Sequence, residues 1–201
     1  MGIYSIKPKF QNFLSPMKNL FIRYKVHPTT INILSLIISL SGGISLYLSG
    51  KYPLLLIYIP FMAFIRTALN ALDGLVAREL KIKNQKFGEV LNEITDRFSD
   101  VVIFLGLAFV AYVNLSLGLI TIILILLNSY LSILSKAAGG SRQYGGLVGK
   151  ADRMFYLSLA SILVLIFKDT NIMNYLLIFL IITTIITFIQ RFIATKKEIY
   201  R

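Results

Sequence analysis

The sequence predicts an all-α integral membrane protein, with six transmembrane helices preceded by an amphipathic helix on the membrane surface. Three observations predict it. Of the 201 residues, 56% are hydrophobic and only 15% charged, whereas a soluble domain runs nearer about 45–50% apolar and 25% charged. The chain offers six stretches of roughly 20 apolar residues, the length that crosses a bilayer as a helix. Its cations also alternate from link to link, as the positive-inside rule requires. Six spans consume well over half the chain, so residues 1–201 read as a single membrane domain. A receptor with an ectodomain, a soluble enzyme on an anchor and an ATP-driven pump are excluded.

Residues 1–28 are polar and basic with spaced apolar side chains (Phe10, Phe13, Leu14, Met17, Leu20, Phe21), the pattern of a helix lying in the interface. They lack the apolar stretch of a cleaved signal peptide. The bundle occupies 29–195, with spans expected at 30–48, 53–76, 88–112, 115–134, 151–167 and 172–193. Short links before the second, fourth and sixth spans make antiparallel hairpins. Thr29 and Thr30, after His27, are expected to cap the first span. Gly42 and Gly43 within it suggest close helix contact. Tyr4, Tyr24, Tyr112 and Tyr200 fit interfacial aromatic belts.

Orientation follows from charge. Lys7, Lys9, Lys18, Arg23 and Lys25 precede span one, and Arg78, Lys81, Lys83 and Lys86 follow span two. Lys136, Arg142, Lys150 and Arg153 follow span four, and Arg191, Lys196, Lys197 and Arg201 close the chain. The other side has only Lys51 and Lys168. Both termini are therefore expected in the cytoplasm. The net charge of +12 is read as cationic loops meeting anionic lipid headgroups, not nucleic acid.

With no Cys and a single His, thiolate chemistry and a His-rich zinc site are excluded. Any metal must use oxygen ligands, which favours Mg²⁺, Mn²⁺ or Ca²⁺.

Four charges stand inside or at the ends of spans two and three: Arg66, Asp73, Asp96 and Asp100. Facing lipid, each would cost several kcal/mol, so an interior or wet cavity is expected. A structural ion pair, Arg66 with one of the aspartates, is the plainer alternative for that residue. At about 100° per residue, Glu89, Asn92, Glu93, Asp96 and Asp100 share an arc of about 100° on span three. Asn70, Asp73 and Ala77 share a face of span two, with Arg66 one turn deeper. Asp73 and Asp96 each lie roughly 8–12 Å in from the connecting link. Antiparallel pairing of spans two and three is thus expected to bring the acidic stripes together around a hydrated divalent cation. Gly74 and Ala77 leave backbone open beside Asp73, either for a base or phosphate or for close helix packing.

Asp73-Gly74-Leu75-Val76-Ala77-Arg78, nine residues, then Gly88-Glu89-Val90-Leu91-Asn92-Glu93-Ile94-Thr95-Asp96 resembles the signature of the CDP-alcohol phosphotransferases. That pattern is Asp-x-x-Asp-Gly-x-x-Ala-Arg, about eight residues, then Gly-x-x-x-Asp-x-x-x-Asp. The six-helix layout, the surface helix and Gly149, Lys150 and Arg153 before span five extend the resemblance over nearly the whole chain. It implies a homodimeric enzyme that binds a CDP-linked lipid and one or two divalent cations, Mg²⁺ or Mn²⁺, and releases CMP. The implied metal ligands are Asn70, Asp73, Asn92 and Asp96, and the implied general base is Asp96. Cytidine and diphosphate recognition map to Asp73, Gly74, Ala77 and Arg78. Asn70 and Asn92 depart from the pattern, standing where the family has aspartates. An Asn carbonyl still ligates a hard cation but neutralises nothing. Glu89, Glu93 and Asp100 lie on the face from which to compensate, and Asp100 is taken as an additional ligand.

The chemistry has a rationale of its own. Divalent metal between Asp73 and Asp96 screens the diphosphate and the charge that develops on departing CMP. A carboxylate must accept the alcohol's proton, and Asp96 is the choice. Arg142, Lys150, Arg153 and Arg191, all at cytoplasmic helix ends, are read either as a pocket for an acceptor's phosphate or as lipid-headgroup contacts. The phosphate pocket favours a phosphorylated polyol, such as glycerol phosphate or inositol phosphate, at the cytoplasmic leaflet. The alternatives are transfer to a free alcohol such as serine, a divalent-cation transporter, and a non-catalytic lipid-binding scaffold.

Overall fold

The computed structural model describes residues 10, 12–81 and 85–200. Lys7, Lys9, Lys83 and Arg201 of the cation pattern, and Tyr4 of the aromatic belts, lie outside the described residues. A short helix α1 (Ser15–Arg23) precedes six long ones: α2 (Pro28–Leu48), α3 (Tyr58–Glu79), α4 (Gln85–Ala108), α5 (Leu115–Ala137), α6 (Lys150–Phe167) and α7 (Asn171–Ile199). A 3₁₀ turn, Pro53–Ile57, leads into α3, and no strand occurs among the described residues.

Local chemistry sets the ends. Pro28 opens α2 behind His27, whose ring Nδ1 accepts from Thr29 N–H at 3.3 Å. The cap is thus His27 itself, not the threonines after it. Asn114 caps α5 by accepting from Ser116 and Leu117 N–H, and Asp152 accepts from Gly149 N–H at 2.8 Å to start α6. Lys168, in the left-handed region at φ 54°, ends α6. Two C-terminal ends differ most from expectation. α4 stops at Ala108 where Asn114 must cap the next helix, and α7 runs on to Ile199 because its polar end continues as helix beyond the apolar stretch.

Among the described residues, four segments are long and apolar enough to cross a membrane: Pro28–Leu48, Pro53–Glu79, Leu115–Ala137 and Asn171–Ile199. α4 and α6 carry charge in their first turns, so length and apolarity alone do not mark them. Polarity runs opposite to that of a soluble bundle. The buried face of α2 carries Asn32, Ser35, Ser39 and Ser45, while Ile33, Ile37, Leu40 and Ile44 are exposed. A surface of this kind suits a lipid solvent, in which polar groups must find partners inside.

The closest helix pairings form a closed ring, α2–α4–α5–α7–α6–α3 and back to α2. The three expected hairpins are all present. The expected direct pairing of α3 with α4 is replaced by a different arrangement: both pack along α2, which lies between them. Gly43 of α2 and Gly106 of α4 make that approach possible. A Cβ on Gly43 would sit 2.3 Å from Val102 O, and one on Gly106 2.0 Å from Gly43 O. α1 lies on α3 through Leu14, Ala68 and Leu72, with Lys18 Nζ 3.0 Å from Glu79 Oε1.

The apolar core, including Leu46, Leu56, Ile59, Phe104, Leu107 and Leu157, fills one end of the ring. The buried charges Arg66, Asp73, Asp96, Asp100, Asp152 and Arg153 gather toward the other.

Candidate functional site

At the polar end, Arg66 Nη2 on α3 donates to Asp100 Oδ1 on α4 at 2.5 Å, with the two side chains 0% and 1% exposed. Arg66 also reaches Asp96 O at 3.5 Å. The second oxygen of Asp100 accepts from Arg153 Nη2 of α6 at 2.9 Å. Both oxygens of Asp100 are thus engaged by guanidinium groups. Asp100, expected as an additional metal ligand, stands here as an anchor joining α3, α4 and α6.

Asp96 is one turn nearer the end of the ring, and its Oδ1 pairs with Lys150 Nζ at the start of α6. Arg97 Nη2 lies 3.8 Å from Asp96 Oδ2 and 3.5 Å from Glu93 Oε2, while its Nη1 bonds Ser129 of α5. Arg142 pairs with Glu93. Glu89 faces outward and bonds Lys136 Nζ at 2.7 Å. The cations placed by sequence in an acceptor pocket divide. Lys150, Arg153 and Arg142 meet the acids of α4, whereas Arg191 donates to Gly145 O (2.8 Å), Asn128 O (3.3 Å) and Ser132 Oγ (2.8 Å). A cavity of about 350 Å³ opens beside Arg191, lined also by Gln143, Gly145, Leu147 and Gln190.

On α3, Asp73 Oδ1 accepts from Gly74 N–H at 2.6 Å. Gly74 and Arg78 are exposed, and Ala77 is half-buried. A Cβ on Gly74 would meet nothing within 4 Å, so close helix packing does not explain this glycine. Asn70 Oδ1 accepts from Ser35 Oγ at 3.0 Å, leaving its Nδ2 buried without a hydrogen-bond partner. Asn92 Oδ1 is also buried without one. Turning the Asn70 amide keeps the Ser35 contact, with NH₂ now donating, and presents the carbonyl oxygen where Nδ2 lies. Each asparagine can therefore aim a carbonyl oxygen that no protein donor satisfies. Those atoms, with the carboxylates of Asp73 and Asp96, suit a hard divalent cation. The charge is sparse: no group of three or more His, Cys, Asp or Glu able to hold a metal occurs among the described residues.

Sequence reasoning overlooked Arg97, Ser129 and Ser35. Arg97 follows Asp96 directly, and its charge within a helix was the available signal. The two serines are ordinary helix residues, and only packing shows what they face.

No family model matches the chain. It is 36% identical over 179 residues to the inner membrane protein YnbA of Escherichia coli (strain K12), covering 88% of this chain and 87% of that one. It is 30% identical over 199 residues to an uncharacterized protein of Aquifex aeolicus (strain VF5), covering 96% and 94%. Among solved structures it is similar to Mycobacterium tuberculosis phosphatidylinositol phosphate synthase (PgsA1) with CDP-DAG bound. The TM-score is 0.76 at 22% identity, covering 93% of this chain and 95% of that one. The same synthase in complex with manganese and citrate gives 0.75 at 23%, covering 91% and 88%. At this identity the likeness is one of fold.

Proposed function

From a chain that belongs to one family with the E. coli inner membrane protein YnbA and has the CDP-alcohol phosphotransferase fold, we propose an integral membrane enzyme. It transfers a phosphatidyl-type group from a CDP-linked lipid to an alcohol and releases CMP. The observation that carries this reading is the buried polar end: Asp73, Asp96 and two carbonyl-bearing asparagines beside a cluster of cations. The apolar core filling the other end of the ring favours an enzyme with one open face over a cation-transport path.

All six long helices span the bilayer, with α1 in the interface, both termini and the site cytoplasmic, and two copies forming a homodimer. The N-terminal turns of α4 and α6, which carry the charges, sit at the cytoplasmic surface. α1 and the residues flanking it leave Phe13, Met17, Leu20 and Tyr24 exposed, as a segment dipping into headgroups requires.

Asp73, Asp96, Asn70 and Asn92 would hold Mg²⁺ or Mn²⁺, the asparagines through amide groups that lack a protein partner. When bound, the metal supplies charge stabilisation at the diphosphate. Gly74, without a side chain and exposed, lets the diphosphate approach the α3 backbone, and Ala77 and Arg78 receive the nucleotide. The acceptor oxygen attacks the lipid-bearing phosphorus, and a new P–O bond forms as the bridging P–O bond breaks with its electron pair leaving on CMP. Asp96 takes the alcohol's proton. Arg66 and Arg153 fix Asp100, which holds α4 so that Asp96 faces this space.

Of the four cations assigned to the acceptor, Arg191 lines the cavity, Arg142 and Lys150 pair with Glu93 and Asp96, and Arg153 is held by Asp100. The cavity beside Arg191 suits an anionic acceptor, so a phosphorylated polyol, glycerol phosphate or inositol phosphate, is favoured over a free alcohol. The test is CMP release by purified protein with CDP-diacylglycerol and Mg²⁺ or Mn²⁺, across alcohols with and without phosphate. Release with phosphorylated acceptors is expected. Release only with unphosphorylated alcohols overturns the acceptor, and none with any alcohol overturns the enzyme.

A further inference from the structure

The connection between α5 and α6 does not project from the bundle but lies along α7. Val148 N–H donates to Thr187 Oγ1 at 3.1 Å, and Gly145 O accepts from Arg191 Nε at 2.8 Å. Farther along, Glu198 Oε1 accepts from Ser141 N–H at 2.7 Å, and its Oε2 accepts from Ser141 Oγ at 2.9 Å and Gln143 Nε2 at 2.8 Å. Thr187, Arg191 and Glu198 are four and seven residues apart, on one face of the helix. Segment 141–148 therefore runs antiparallel to α7, fastened at three heights. Gly146, at φ +124°, makes the closest approach: a Cβ there would lie 2.3 Å from Thr187 Cγ2.

Arg142 stands between the two residues that Glu198 holds and points the other way, to Glu93 on α4. Its guanidinium also packs over the Tyr144 ring at 4.8 Å. An acid in the last turns of a helix is disfavoured by the helix dipole, and the neighbouring cations Lys196 and Lys197 are the residues such a position favours. Glu198 thus has a position that helix stability does not explain and three bonds that all go to the residues flanking Arg142.

We propose that Glu198 is a positioning residue: by fastening Ser141 and Gln143 to α7, it presents Arg142 to the acceptor side of the site. This rests on the acceptor reading above. Without Glu198 the connection keeps only its anchors at Gly145 and Val148, so the stretch that carries Arg142 is loosened and ordering it must be repaid at each binding event. The carboxylate touches no substrate, so its removal raises the acceptor KM and leaves kcat and the CDP-lipid KM alone.

The experiment has two arms on purified full-length protein. The first follows hydrogen–deuterium exchange in wild type, Glu198→Ala and Glu198→Gln. Faster exchange in Glu198→Ala confined to 139–147 is expected, with partial recovery in Glu198→Gln, whose carbonyl still accepts from Ser141. Unchanged exchange, or loss of protection throughout α5 and α7, overturns the proposal. The second arm measures CMP release from CDP-diacylglycerol with glycerol 3-phosphate and with inositol phosphate. Glu198→Ala is expected to raise the acceptor KM about tenfold, the worth of one charge-assisted bond. A matching fall in kcat, or a change in the CDP-lipid KM, overturns it. Wild type inert with both acceptors would count against the acceptor reading and the positioning role together, while the exchange arm separately decides whether Glu198 fastens the segment.

Discussion

Arg66 on α3 and Asp100 on α4 are paired at 2.5 Å with essentially no exposure, although the two helices do not pack directly against each other. The pair spans the gap that α2 leaves between them. Together with Arg153 it ties three helices at the depth where the candidate site begins.

Removing one partner of such a pair leaves a buried charge without full compensation. Arg66→Met is expected to destabilise the protein by about 3 kcal/mol. Thermal unfolding in detergent checks this, and Arg66→Met combined with Asp100→Leu is expected to recover part of the loss. Unchanged unfolding in the single variant would show that Arg153 alone satisfies Asp100.

Asp96 carries the proton in the proposed reaction. Asp96→Asn keeps the shape of the side chain and an acceptor for Lys150 but removes the base. CMP release is expected to fall about a hundredfold or more with the fold intact. Full turnover in a folded variant removes Asp96 from that role.

Asn70 and Asn92 supply oxygen without charge. Asn92→Asp is expected to tighten Mn²⁺ binding about tenfold, because affinity for a hard cation follows ligand charge. Electron paramagnetic resonance titration of Mn²⁺ measures it directly, and an unchanged affinity places the ion elsewhere. Chelation by EDTA is expected to abolish CMP release in both forms.

The glycines separate packing from chemistry. Gly43→Ala or Gly106→Ala drives a methyl group into backbone 2.3 or 2.0 Å away, and a large fall in unfolding temperature is expected. Gly74→Ala meets nothing within 4 Å, so stability is expected to hold while the KM for the CDP-lipid rises. A stability loss at Gly74 equal to that at Gly43 would remove the nucleotide reading.

By itself the sequence determined the number and order of the long helices, most of their ends and the three hairpins. These follow from local apolar length, capping residues and short links, all of which lie within a few neighbouring positions. The charge cluster was legible too, because Arg66, Asp73, Asp96 and Asp100 have no place in lipid. What only the tertiary structure decided is who answers each charge. Helical periodicity put Asp100 on the same face as Asp96, yet Asp100 is held by guanidiniums from α3 and α6 while Asp96 meets the first residue of α6. Periodicity gives the face of one helix and nothing about its neighbours. The insertion of α2 between α3 and α4 depends on Gly43 meeting Gly106, a contact between residues 63 positions apart whose register no local pattern encodes. The same holds for Glu198, an unremarked acid near the chain's end until folding lays the α5–α6 connection along α7.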